Sequence, residues 1–142
     1  MSDLRVELLA IEDCPHLERA RLDLQSVLRT SIIEVPIQLV FVSSQDEADF
    51  LEFPGSPTIR VNGEDVVPQP ELPFAVGCRI YRGENGEMTG SPPISAIKRA
   101  VDAHRRGRLE EFRREEAANV ARFARQADAA EAGESETEDA ED

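Results

Sequence analysis

The residues of this chain that are best suited to chemistry are its two cysteines, Cys14 and Cys78. Cys14 precedes Pro15 and His16, at the point where an apolar stretch gives way to a helical pattern. A thiolate is a nucleophile, and a helix N-terminus favours its negative charge. Cys14 is therefore a candidate nucleophile with His16 as a candidate supporting group. The alternative is that Cys14 is a small buried residue at a strand end.

A second motif, Gly55-Ser56-Pro57-Thr58, stands directly before a stretch rich in Val and Ile. Cis peptide bonds are costly except before proline, and a cis proline is usually a feature of a tight turn. The Ser56–Pro57 bond is thus where a cis peptide is predicted. In a compact fold this turn can meet Cys14.

Charge and composition exclude several classes of function. The 142 residues carry a net charge of −13, and residues 128–142 contain eight acidic and no basic residues. Nucleic acid is not an expected partner, because phosphate binding relies on clustered Lys and Arg. The sequence shows neither a long apolar span nor a signal-peptide pattern, so a cytoplasmic protein without membrane partners is predicted. In that compartment the cysteines are expected to be reduced, not a structural disulfide.

Hydrophobic periodicity predicts an α/β domain over residues 1–106 with the element order β-α-β-α-β-β-α. Predicted strands cover 5–11, 35–42, 57–61 and 78–82, and predicted helices cover 16–29, 45–52 and a segment opening at Ser91-Pro92-Pro93. Ser44 and Glu47 form a capping-box pattern, and Ile94, Ile97, Ala100 and Val101 are expected to face the core. The prolines of 64–77 indicate a loop. A charged helical extension is predicted over 107–128 and a disordered acidic tail over 129–142.

These elements and motifs resemble the thioredoxin-like superfamily, including small bacterial members with a Cys-Arg-x-Tyr strand after a Gly-Ser-Pro-Thr strand. The resemblance covers residues 4 to about 105. It implies a thioredoxin-like fold with a mixed four-stranded sheet, in which Pro57 packs beside Cys14. It also implies that the backbone next to Pro57 pairs with an extended substrate, so that Pro15, His16, Ser56, Pro57 and Thr58 form the substrate site.

The sequence departs from the family's dithiol motif, because Leu17 stands where Cys-x-x-Cys has its second cysteine. Cys78 is then the remaining candidate for a second catalytic thiol, and the alternative is a buried strand residue. The arrangement is also distantly similar to the core of organomercurial lyases, in which two separated cysteines flank the metal. Leu17 again replaces the acidic residue expected there.

Three hypotheses follow from these residues. The first is thiol–disulfide redox chemistry at Cys14 and Cys78 on a protein or a low-molecular-weight thiol or disulfide, without a cofactor or a resident metal. The second is a non-catalytic binding or adaptor protein that uses its C-terminal helix as a partner surface. The third is capture of a soft metal such as mercury or copper by the two thiolates.

Overall fold

The computed structural model describes residues 4–141, apart from the side chains of residues 108 and 127–141. Within these residues the chain is a mixed α/β structure with three helices and a mixed four-stranded sheet. In chain order the elements are β1 (Val6–Ala10), α1 (Leu17–Thr30), β2 (Ile37–Phe41), α2 (Gln45–Leu51), β3 (Thr58–Val61), β4 (Glu64–Asp65), β5 (Tyr81–Arg82), β6 (Met88–Thr89) and α3 (Ile94–Glu141). None of the helices in this part of the chain combines the length and apolar character that crossing a membrane requires.

The four-stranded sheet has the order β2-β1-β3-β4. β1 runs parallel to β2, with Ala10 opposite Phe41, and antiparallel to β3, with Leu9 opposite Thr58. Because β1 and β3 are antiparallel, the C-terminal end of β1 and the N-terminal end of β3 lie at the same end of the sheet. The chain just after β1 and the turn just before β3 are therefore neighbours.

Alternating side chains of β1 build a core on each face of the sheet, as a strand buried on both faces requires. Leu8 packs in a cluster with α1 and with Ile97 of α3, and Leu9 packs in a second cluster with Phe53. The first cluster contains Leu4, Val6, Leu8, Ala20, Leu24, Val27, Leu28, Ile59, Val61, Val66, Ile97 and Val101. The second contains Leu9, Val42, Ala48 and Phe53. The apolar residues of β1 and β3 and of the helices on each face of the sheet thus account for the two cores.

The predicted capping box forms in part at the N-terminal end of α2. Ser44 is the N-cap, and its hydroxyl accepts a hydrogen bond from the Glu47 N–H at 3.1 Å. The Glu47 carboxylate accepts from the N–H and the hydroxyl of Ser43 instead of from the N–H of Ser44. One half of the predicted reciprocal pair is therefore confirmed, and the other is shifted by one residue.

The core face of α3 is confirmed in its first turns except at one position. Ile97 and Val101 are fully buried, Ala100 packs against the same cluster, and Ile94 is 41% exposed. Ile94 is the first helical residue, immediately after Pro92 and Pro93, and it lines an open polar cavity instead of the core.

The chain divides into two compact units, Met1–His104 and Arg105–Asp142. In the second unit α3 continues to Glu141, through the stretch 129–142 for which composition predicts disorder. The side chains of 127–141 and the whole of residue 142 lie outside the described residues, so the acidic tail stays a prediction. The large apolar residues described in this unit are all exposed: Leu109, Phe112, Val120 and Phe123.

The predicted strand over 78–82 is wrong for most of its length. Only Tyr81–Arg82 is a strand, and it pairs with β6 in a separate two-stranded sheet. The fourth strand of the main sheet is instead Glu64–Asp65, inside the predicted loop, where Asn62-Gly63 turns the chain back antiparallel to β3. Cys78 makes a single isolated bridge to Ser56. The predicted strand does not form over 78–80 because the Arg79 side chain points inward and bonds to buried partners such as Asp65.

Candidate functional site around Ser56

Cys14 lies between β1 and α1, four residues after the last residue of β1, and is 8% exposed. Its carbonyl accepts a hydrogen bond from the Leu17 N–H at 3.3 Å, so the chain begins to turn at Cys14. His16 is the N-cap of α1, and its carbonyl accepts the first helical bond from Ala20. Cys14 therefore stands two residues before the cap, close to the beginning of the helix.

The His16 ring packs against the backbone of Gly90. A Cβ placed on Gly90 would lie 2.2 Å from Cδ2 of His16, so the imidazole occupies the space that any larger residue at position 90 would need. His16 also lines an open polar cavity of about 500 Å³, together with Arg19 and Asp23 of α1. Sequence analysis proposed His16 as a supporting group for the Cys14 thiol, and the structure shows a half-buried ring packed on the segment before α3.

The turn before β3 is buried at Ser56, Pro57 and Thr58, and the Ser56–Pro57 peptide is cis, as predicted. The Ser56 hydroxyl accepts a hydrogen bond from the Ile11 N–H at 3.0 Å. This bond links the turn to the backbone three residues before Cys14. The Thr58 hydroxyl donates to the Gly55 carbonyl at 2.7 Å and closes the turn.

The backbone of Ser56 is bonded on both of its polar groups by residues 77–79. Its N–H donates to the Gly77 carbonyl at 2.7 Å, and its carbonyl accepts from the Arg79 N–H at 2.9 Å. Cys78 thus lies directly opposite Ser56, and its thiol is free and exposed. Sequence analysis offered a second thiol or a buried strand residue, and Cys78 is not buried.

Gly55 allows this close approach. Its φ is +134°, a value that L side chains rarely adopt, and a Cβ there would lie 3.0 Å from Cβ of Arg79 and 3.3 Å from its Cα. Neither conformation nor space would suit a larger residue. The contact between the turn and the 77–79 segment therefore depends on a glycine at position 55.

Arg79 anchors the segment from inside, because its side chain is 0% exposed. One terminal nitrogen donates to Asp65 Oδ2 at 2.7 Å and to the Thr58 hydroxyl at 3.1 Å. The other donates to the Val67 carbonyl at 2.5 Å and, together with Nε, to Oε1 of Gln69 at 3.0 and 3.2 Å. A buried charge is tolerated only when it is paired and fully hydrogen-bonded, and Arg79 meets both conditions.

Tyr81 connects the same segment to the proline. Its hydroxyl donates to the Pro57 carbonyl at 2.5 Å, and its ring lies under the Arg79 guanidinium, 4.5 Å from the centroid. Burial raises the pKa of Tyr81 above its ordinary value near 10. The phenol is therefore held in its neutral, hydrogen-donating form. Tyr81 is 1% exposed, so its ring is also a packing residue of the core.

Asp65, Arg79 and Tyr81 form the part of the site that sequence reasoning missed. In the structure this segment alternates, because Gly77, Arg79 and Tyr81 are less exposed than the residues between them. Val76, Cys78 and Ile80 face outward, and Ile80 is 60% exposed. Hydropathy assigns the charged residue to solvent and the apolar residues to the core, which is the reverse of what this segment does.

No group of three or more His, Cys, Asp or Glu side chains in the described part of the chain is arranged to hold a metal ion. No protein-family model, no curated protein and no solved structure matches this chain significantly. The contacts around Ser56 are therefore the basis for inferring the function of this chain.

Proposed function

We propose that this chain is a thioredoxin-like cytoplasmic protein whose Cys14 thiol exchanges with disulfides. The observation that carries the proposal is the hydrogen bond from the Ile11 N–H to the Ser56 hydroxyl. It ties the segment that bears Cys14 to the Ser56–Pro57 turn, the two motifs on which the resemblance depends.

The arrangement of the sheet supports the proposal. A parallel β1–β2 pair, an antiparallel β1–β3 pair and helices on both faces agree with a thioredoxin-like core. In such a core the candidate thiol follows the first strand, and the proline precedes the strand next to it. Cys14 and Pro57 occupy those places.

Thiol–disulfide exchange needs a thiol that a disulfide sulfur can reach and a fixed surface beside it that orients the disulfide. Cys14 is 8% exposed, and the turn at Ser56, Pro57 and Thr58 is buried and bonded on several sides. Nucleophilic attack on a disulfide sulfur passes through a mixed disulfide. Pro15 and His16 set the direction of the chain as it leaves Cys14 for α1.

The test is the rate of Cys14 alkylation by iodoacetamide at neutral pH, measured in the Cys78→Ser variant so that one thiol remains. We expect Cys14 to react faster than free cysteine, because a reactive site favours the thiolate. The matched variant Cys14→Ser reports the exposed Cys78 alone. A Cys14 thiol that alkylates more slowly than free cysteine in the folded protein would argue against the proposal.

One observation favours a second candidate, a non-catalytic binding protein. The N–H and carbonyl of Ser56, which the resemblance assigns to substrate, are both bonded within the chain. The exposed apolar residues of α3 in the second unit offer a surface for a protein partner. If the cellular role of the protein survives Cys14→Ser, the binding function is favoured and thiol exchange is not.

A soft-metal site is a third candidate, favoured by the two free cysteines on segments that both bond to Ser56. Two thiolates select soft ions such as mercury or copper(I). Titration of the wild type with either ion should then give a tight one-to-one complex. The same titration of Cys78→Ser should be much weaker, and equal binding by both proteins would exclude a two-thiolate site.

A further inference from the structure

Residues Gly77–Arg79 lie where an incoming extended chain would have to bind. A strand recognises its partner through backbone N–H and carbonyl groups, and at Ser56 both groups are already used by Gly77 and Arg79. The residue placed opposite Ser56 is itself a cysteine. The chain thus carries a thiol in the position where a bound chain would bring one.

We propose that Gly77–Arg79 is an internal strand that replaces a substrate backbone beside Ser56, and that Cys78 resolves the mixed disulfide formed at Cys14. The substrate that fits such a site is a low-molecular-weight disulfide, not an extended polypeptide. This inference rests on the proposed role of Cys14 and assigns to that site a second thiol and a substrate class.

The internal strand is held from two directions. Along the backbone, two hydrogen bonds join it to Ser56. From the core, the buried Arg79 side chain bonds to Asp65, Thr58, Val67 and Gln69. Since successive side chains of an extended segment point to opposite sides, the inward direction of Arg79 turns the Cys78 thiol outward. The exposure of Cys78 is thus a consequence of the Arg79 anchor.

The same anchor decides the substrate class. A polypeptide that paired with Ser56 would first have to displace Gly77–Arg79 and leave the Arg79 charge without its buried partners, which is strongly unfavourable. A small disulfide needs no backbone edge, because it has only to bring one sulfur to Sγ of Cys14. Cys78 then attacks Sγ of Cys14. This attack requires the Cys14 and Cys78 side chains to come within the distance at which a disulfide can form.

The reaction balances with a low-molecular-weight disulfide as the oxidant. The Cys14 thiolate attacks one sulfur of the disulfide, a mixed disulfide forms, and one small thiolate leaves and takes up the Cys14 proton. The Cys78 thiolate attacks Sγ of Cys14, the internal disulfide forms, and a second small thiolate leaves and takes up the Cys78 proton. In total one small disulfide is reduced to two thiols while Cys14 and Cys78 are oxidised.

The experiment incubates the full-length reduced protein with oxidised glutathione and measures both the released glutathione and the intact protein mass. We expect the wild type to release two glutathiones per chain and to end two hydrogen atoms lighter, with Cys14 and Cys78 joined in the peptide map. Cys78→Ser should release one and retain one as a stable adduct on Cys14. Val76→Ser, on the same exposed side of the segment, should behave as the wild type does.

Failure of this inference is distinguishable from failure of the proposed function. A wild type that keeps glutathione on Cys14, or that leaves both cysteines unoxidised, overturns the inference even if Cys14 alkylates rapidly. A Cys14 that alkylates slowly contradicts the proposed function itself. In a second arm, insulin supplies polypeptide disulfides to the reduced protein. Reduction of insulin as fast as that of oxidised glutathione overturns the assignment of substrate class.

Discussion

The two edges of the main sheet, at β2 and beyond β3, differ in whether other parts of the chain cover them. On one side, β2 pairs with β1 and with no other strand of the described residues, and its Leu39 and Phe41 side chains are 46% and 44% exposed. On the other side, beyond β3, the chain continues into β4 and then returns at residues 77–79 to bond to Ser56. One edge is open and apolar, and the other is covered by the chain's own backbone.

The covered side is closed by side chains more than by a strand ladder. A single bridge at Cys78 joins this segment to Ser56, and the hydrogen bonds of one buried arginine hold it from the core side. The residues with chemical potential, Cys14 and Cys78, lie on segments bonded to Ser56 on this side. Edge strands are places where other chains add, so covering an edge and leaving one open have opposite consequences for recognition.

The largest expected effect comes from removing the anchor of the covered side. Arg79→Met leaves Asp65 without its buried cation and Thr58 without its donor, and we expect a loss of about 3–5 kcal/mol in the free energy of unfolding. Urea denaturation measures it. The control is Arg60→Met, which removes one bond to the Glu52 carbonyl from a partly exposed side chain and should cost about 1 kcal/mol. Equal losses would show that Arg79 is not the anchor.

A smaller loss is expected at the glycine that lets the covering segment approach. Gly55→Ala introduces a Cβ at a φ of +134° and 3.0 Å from Cβ of Arg79, and we expect a cost of about 1–3 kcal/mol. The neighbouring Gly77→Ala is the matched control, because a Cβ there meets nothing within 4 Å. If thermal denaturation gives the two variants the same stability, the close contact at Gly55 does not matter.

Alkaline pH should weaken the covered side through Tyr81. Burial raises the pKa of Tyr81 in the folded state, whereas the unfolded chain loses this proton from about pH 10. Above that pH the unfolded state binds fewer protons, so the free energy of unfolding should fall by about 1.4 kcal/mol per pH unit. Below it, Tyr81 contributes no pH dependence.

This titration can be read directly, because Tyr81 is the only tyrosine and the chain has no tryptophan. Tyrosinate absorbance of the folded protein should rise at a higher pH than in urea-unfolded protein. Tyr81→Phe should lack the alkaline loss of stability attributed to this group. Coincident absorbance curves for folded and unfolded protein would contradict the burial of the phenol.

The smallest effect on stability is expected at the open edge. Leu39→Lys places a charge on a half-exposed position of β2, and we expect the free energy of unfolding to change by no more than about 0.5 kcal/mol. Light scattering at high protein concentration should decrease, because a lysine on an edge opposes strand addition. A loss comparable to that of Arg79→Met would mean that the two edges do not differ as described.

The elements that organise the sheet could be predicted from sequence. β1, α1, β2, α2 and β3 lie within two residues of the predicted bounds, because an apolar run, a helical repeat or a cap marks each of them locally in the sequence. Ser44 as a helix cap could be predicted for the same reason, since the geometry of a cap is local.

The contacts of the covered side could not be predicted, because they join residues that are far apart in the sequence. Arg79 is inward only because Asp65, Val67 and Gln69 supply acceptors from ten or more positions away in the chain. No periodicity encodes that, and the residues beside Arg79 suggested an ordinary strand. The position of Cys78 opposite Ser56 depends on the same contacts, so the sequence left that position open.

The two backbone bonds of Ser56 make detachment of the covering segment observable by hydrogen exchange. The amides of Ser56 and Arg79 each donate across the same contact, so one local opening exposes both. Amides of the β1–β3 ladder exchange only through larger openings. If the segment lifts as a unit, these two amides form a small exchange group of their own, with matching rates that are faster than those of the sheet.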